Sequence, residues 1–145
     1  MTDFLQVVSV ILVIRCKNKF LLVQRSGKDD IFPGFWQNMG GKVELGETIE
    51  NTITREMMEE VGIKPESTPV FLQSYSWKKD EKSPVKLGLI FLINLKNDVK
   101  RYEVKICDEL ENYGWYTFEE TRNLKTIGQD SPTGTLGQLS KSLKS

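Results

Sequence analysis

The chain has 145 residues, enough for one domain with a substantial core. Its 20 basic and 20 acidic residues cancel, so composition gives no broad electrostatic case for a nucleic-acid polymer as partner. It contains no histidine, which excludes histidine-ligated zinc and every histidine-based triad, and leaves acid and base chemistry to carboxylates, Lys, Tyr and water activated by a metal.

Phe4 to Cys16 is dense in Val, Ile and Leu and predicts a strand buried on both faces. Within it the near-continuous apolar run Val7 to Ile14 is too short to span a bilayer and lacks the flanks of an export signal, so a soluble, cytoplasmic protein is expected. Lys17 to Lys19 reads as a turn, with Phe20 to Arg25 returning as a second strand. Cys16 and the distant Cys107 match no metal spacing and read as reduced thiols. Ser26 to Phe35 carries charges, Pro33 and Gly34 and predicts an exposed loop, either bordering a site or only connecting strands. Trp36 to Val43 is a short strand broken by Gly40-Gly41, where glycine permits positive φ and lets a backbone carbonyl approach a ligand.

Thr48 to Val61 is the most informative stretch. Ile49, Ile53, Met57 and Val61 recur every four residues and form one apolar stripe of a helix. Thr48 is its predicted N-cap, and Gly62 followed by Pro65 is its stop. Glu56, Glu59 and Glu60 then sit in the last two turns, beside the stripe, where the helix dipole is negative. Each acid there loses about 0.3 to 1 kcal/mol of favourable placement. Repulsion at i, i+3 and i, i+4 adds about 0.2 to 0.5 kcal/mol per pair. A solvated helix face puts acids first and bases last, so this order points to a divalent cation with oxygen ligands.

Downstream, Pro69 to Trp77 and Val85 to Leu95 predict a hairpin across the charged loop Lys78 to Pro84. Asn94 to Glu111 is polar and irregular, Tyr113 to Thr117 a last short strand, Phe118 to Leu124 helical, Gly128 to Gly134 a loop, and Leu136 to Leu143 a short amphipathic helix. Repeats and interdomain linkers are not apparent, and residues 1–145 read as a single α/β or α+β domain.

The central stretch resembles the signature of the Nudix hydrolases, GX5EX7REUXEEXGU with U a bulky aliphatic. Gly41, Glu47, Arg55, Glu56, Met57, Glu59, Glu60, Gly62 and Ile63 meet every required position. The resemblance implies an α/β fold, an α/β/α sandwich with a mixed sheet between helices. It also implies hydrolysis of a nucleoside diphosphate-linked substrate with Mg²⁺, or Mn²⁺ in its place. In the same way Glu56, Glu59 and Glu60 are expected to bind metal, with the carbonyl of Gly40 and a loop acid, Glu109 ahead of Glu111 and Glu103. Glu56, Glu59 and Arg55 are the expected catalytic residues. Glu56 is the first candidate for general base, and Arg55 would hold a carboxylate by bidentate pairing. Glu47 either supports Arg55, meets metal through water or is simply an acid near a helix N-terminus.

Trp36, Arg25 and Glu47 are the candidate substrate-binding residues. Phe35, Tyr75, Trp77 and Trp115 are further aromatics for stacking a base, and for these four and Trp36 alike core packing is the more ordinary role. Lys78, Lys79, Lys82 and Lys86 are either phosphate contacts or a solvated loop. Many relatives have proline where this chain has Met39. The expected substrate is a nucleoside triphosphate, oxidised dNTPs included, cleaved to NMP and pyrophosphate. ADP-ribose or a dinucleoside polyphosphate is the alternative. A non-catalytic nucleotide-binding module and an isoprenoid diphosphate isomerase are the rivals of other classes; the complete carboxylate set opposes the first, and the short, histidine-free chain the second.

Overall fold

The apolar run near the start of the chain becomes the middle of a sheet. The structure, a computed structural model, describes residues 5–145. Strand β1 (Gln6–Cys16) alternates its burial between two faces. Val10, Leu12, Ile14 and Cys16 join one core cluster, Val13 the other. Phe4, where the sequence placed the strand's start, lies outside the described residues.

One edge of β1 is paired along its whole length, in parallel, with β6 (Val85–Leu95), which in turn pairs antiparallel with β5 (Val70–Trp77). The other edge is shared. Ile14 to Cys16 pair with β2 (Lys19–Arg25), and Ser9 to Leu12 pair with β4 (Met39–Lys42). Between them β2 leaves β1 and takes β3 (Trp36–Gln37) on that edge and β7 (Leu110–Tyr116) on its outer one. The result is a seven-stranded mixed sheet with a fork beside β1.

The segment Trp36 to Val43 therefore breaks at Asn38 and not at the glycines, because there the chain crosses from β2 to β1. Asn38 is buried at that crossing, and its amide donates to Gln138 Oε1 at 2.8 Å. Strand β7 starts at Leu110, earlier than the expected Tyr113, since β2 offers it partners as far as Arg25.

Helix α1 (Ile49–Glu60) lies on one face, with Ile53, Met57 and Val61 buried against Val10, Leu12 and Ile14. Thr48 caps it by accepting from the Asn51 N–H, and Gly62 stops it at φ +70°. On the other face α2 (Phe118–Thr121) and α3 (Thr135–Ser142) cover Val13, Phe20, Ile90 and Leu92 through Leu139, Phe118 and Leu136. This is the α/β/α sandwich expected. The helix predicted over Phe118 to Leu124 closes after one turn, because Lys125 must present its carbonyl to the Trp36 N–H at 2.8 Å. Among the described residues no helix is long and apolar enough to cross a membrane.

Candidate active site

The glutamates of α1 meet the sheet at β4. Glu56 is only 8% exposed, and its carboxylate occupies the space that a side chain on Gly41 would need. A side chain on Gly40 would run into the Val10 carbonyl across the sheet. Neither glycine has a positive φ, so both are needed for room and not for backbone freedom. The positive φ falls instead on Gly46 (+84°), in the turn that delivers Glu47 to the helix start.

Arg55 ties this corner together. Its Nε and Nη2 donate to the two oxygens of Glu47 at 2.8 and 2.9 Å, a bidentate pair. Nη1 donates to Glu56 at 2.8 Å and to Glu59 at 3.3 Å, and Nη2 also reaches the Lys42 carbonyl at 3.0 Å. Glu47 further accepts from Thr52 Oγ1 and from the Glu44 N–H. The Arg55 guanidinium first, and then the Glu44 amide, hold its carboxyl down to about 2. Arg55 is itself pushed above its ordinary range, chiefly by Glu47.

Glu60 is the opposite case. Burial, reinforced by the neighbouring Glu56 and by the charge of Glu109, pushes its carboxyl up to about 8. Burial raises Glu56 as well, against the pull of Arg55. The end of α1 is fixed by the irregular segment expected after β6. The N–H of Lys105 donates to the Val61 carbonyl and that of Cys107 to the Glu60 carbonyl, at 3.0 and 3.1 Å. That docking carries Glu109 to the same cleft, a cavity of about 710 Å³ whose lining acids outnumber its bases seven to three.

A NUDIX domain model matches residues 4–134. The chain belongs to the Nudix hydrolase family. As a Nudix hydrolase it is a pyrophosphohydrolase, an enzyme acting on phosphoric anhydrides. It is 32% identical over 117 residues to the nucleoside triphosphatase NudI of Escherichia coli O139:H28, covering 74% of this chain and 79% of the relative. In fold it is similar to the MutT protein of Methanosarcina mazei Go1 (TM-score 0.72, 22% identity, 100% of both chains). It is also similar to the NUDIX domain of Shewanella oneidensis NrtR complexed with ADP ribose (TM-score 0.75, 18% identity, 97% of this chain and 88% of that one).

Of the residues singled out from the Nudix sequence, Gly40, Arg55, Glu56, Glu59, Glu60, Glu109 and Arg25 line the one cleft. Trp36 does not. It is buried at 8% exposure, edge to face with Tyr116 at 5.4 Å, because its strand faces the core at that position. Glu47 does not line the cleft either; both its oxygens are taken by Arg55, Thr52 and Glu44, which makes it a support for Arg55. The other aromatics also lie elsewhere: Phe35 beneath Lys125, Trp77 beneath Lys86 and Trp115 against Tyr102. Glu111 accepts from the Gly27 N–H, and Glu103 is exposed beside Lys105. Sequence reasoning missed Asp29, Gln37 and Asp108, which do line the cleft. Asp108 stands next to Glu109 and was findable; nothing local marks the other two.

Nudix hydrolases need a divalent cation, and the residues present fit one. Hard carboxylate oxygens converge on a cleft floored by two side-chain-free residues, and two of those carboxyls are held together in a site where burial opposes their charge. Among the described residues no three acidic, histidine or cysteine groups stand close enough together to hold an ion as they are.

Proposed function

We propose that this protein is a Mg²⁺-dependent nucleoside triphosphate pyrophosphohydrolase, with Mn²⁺ as a substitute ion, releasing NMP and pyrophosphate. The observation that carries this reading is the complete carboxylate set Glu56, Glu59, Glu60 and Glu109 gathered at one cleft under Gly40 and Gly41. The substrate class is supported by the likeness to a nucleoside triphosphatase over most of both chains. In this reading residues 1–145 act as one cytoplasmic domain on a free nucleotide.

The cation would be held by the Gly40 carbonyl, Glu56, Glu59, Glu60 and Glu109, where it supplies neutralisation of phosphate charge. Glu56, aimed by Arg55 and backed by Gly41, takes the proton of the water that attacks phosphorus. Glu59, the most exposed of the three helix acids at 61% of its side chain, is the second candidate for that proton. Arg55 has four carboxylates around it and acts by holding them, not by meeting substrate. Arg25, which also lines the cleft, is left to meet an anionic oxygen of the nucleotide.

The test is product identification. The purified protein with Mg²⁺ is given NTPs, oxidised dNTPs, ADP-ribose and dinucleoside polyphosphates, and products are separated by ion-exchange chromatography. NMP and pyrophosphate from a nucleoside triphosphate are expected, with Glu56→Gln slower by about 100-fold or more. Cleavage of ADP-ribose or a dinucleotide alone would replace the substrate class, and full activity of Glu56→Gln would remove its assigned role.

A further inference from the structure

Arg25 is held in an unusual way for a residue that faces a ligand cleft. Its Nη2 pairs with Asp29 Oδ2 at 2.8 Å and its Nε donates to the Ile31 carbonyl at 2.8 Å, so one whole edge of the guanidinium is clamped. Nη1 makes only a long contact, 3.4 Å, to Gln37 Oε1. Arg25, Asp29 and Gln37 all line the cleft that holds the glutamates. Both members of the ion pair are sheltered, with side chains 23% and 29% exposed, so the pair is not loosely solvated.

The clamp is built into the loop. The other carboxylate oxygen of Asp29 accepts from the Ile31 N–H at 3.1 Å, tying the acid to the residue whose carbonyl holds Nε. The next residue, Phe32, has φ +48°, a conformation rarely taken by a bulky side chain, which turns the chain back at that point. The Arg25 N–H donates to the Phe35 carbonyl at 2.9 Å and closes the loop at its base.

Among the described residues only Arg25, Lys42 and Arg55 bring positive charge to the cleft wall, and Arg55 is saturated by carboxylates. We infer that Asp29 is a positioning residue for substrate binding: with the Ile31 carbonyl it clamps the Nε and Nη2 edge of Arg25, so that Nη1 is presented into the cleft to receive a phosphate oxygen of the nucleotide. The inference rests on the proposed function and deepens it. Asp29 itself does not touch the reacting atoms. A guanidinium free to rotate loses this aim and must be ordered again at each encounter, which weakens ground-state and transition-state binding alike.

The experiment compares wild type, Asp29→Asn, Asp29→Glu, Arg25→Gln and the double variant Arg25→Gln/Asp29→Asn, in Mg²⁺, with the nucleoside triphosphate that wild type turns over. Binding is read separately by calorimetry with its α,β-methylene analogue. Asp29→Asn is expected to raise KM and the analogue's Kd by about tenfold while kcat moves less than about twofold. Asp29→Glu, which keeps the charge, is expected to recover most of the loss. In the Arg25→Gln background the same change is expected to add nothing, since the two act as one unit. An unchanged or lower KM in Asp29→Asn, or an undiminished effect without Arg25, overturns the clamp while leaving the pyrophosphohydrolase intact. A wild type that turns over no nucleotide brings down both.

Discussion

At Glu60 the folded chain holds a proton that the unfolded chain gives up. Its carboxyl rises from 4.5 to about 8 on folding, chiefly through burial and then through Glu56 and Glu109. Between those values the native state binds more protons than the unfolded one, so stability falls as pH rises through that window, by up to about 1.4 kcal/mol per unit. Glu47 acts in the other direction and lower down. Held at about 2, it contributes stability above pH 4.5 that is lost as pH falls toward 2. Thermal melts of the metal-free protein at pH 5.5 and pH 8 are therefore expected to show a lower Tm at pH 8. The Glu60→Gln variant should lack most of that difference, and Mg²⁺ should abolish it in wild type, because a cation favours the charged form. Equal melts for wild type at the two pH values would contradict this account of Glu60.

The contact between β4 and α1 leaves no room for a side chain at Gly41 beside the Glu56 carboxylate. Gly41→Ala places a methyl where the Glu56 carboxylate sits and must displace it. A misplacement of about 1 Å costs on the order of 100-fold in rate, so kcat should fall by that much while the melt shifts modestly. Steady-state kinetics beside a thermal melt measure both, and a fully active Gly41→Ala would show that Glu56 has freedom the packing denies. Helix α1 was legible in the sequence because its determinants are local: the stripe Ile49, Ile53, Met57 and Val61, the Thr48 cap and the Gly62 stop. Its carboxylates were legible for the same reason. The break at Asn38 was not, since it depends on which of two distant strands each half meets. Trp36 was a binding candidate with core packing as its more ordinary role, and the structure packs it against Tyr116; an aromatic side chain does not announce which face of its strand is inside. Asp29 and Gln37 were invisible because only the loop's return and the fork bring them to the glutamates' cleft. Both glycines were noticed for dihedral freedom and for the close approach of a backbone carbonyl to a ligand; the structure uses no positive φ there and needs them for room.

Across the whole molecule, function depends on elements far apart in the chain being brought to one cleft. Glycines of β4, acids of α1, the loop after β2 and the segment before β7 share the cleft: β4 reaches it by pairing with β1, β7 by pairing with β2, and α1 by packing on the β1 core. The α3 side of the sandwich is a separate apolar layer, so the site rests on one core cluster and the C-terminal helix on the other. The parallel ladder of β1 with β6 has a kinetic meaning as well. Arg15 and Asn94, partners in that ladder, lie 79 residues apart in the chain. Local hairpins and α1 can form early, but the apolar strand β1 has one bare edge until β6 returns to it, after the loop between them has been closed at an entropic cost. Refolding from denaturant is expected in milliseconds or slower, on the order of that for other sheets with distant partners, and stopped-flow tryptophan fluorescence measures it. Until that ladder closes, β1 is an open template for other chains, so the refolding yield should fall as protein concentration rises.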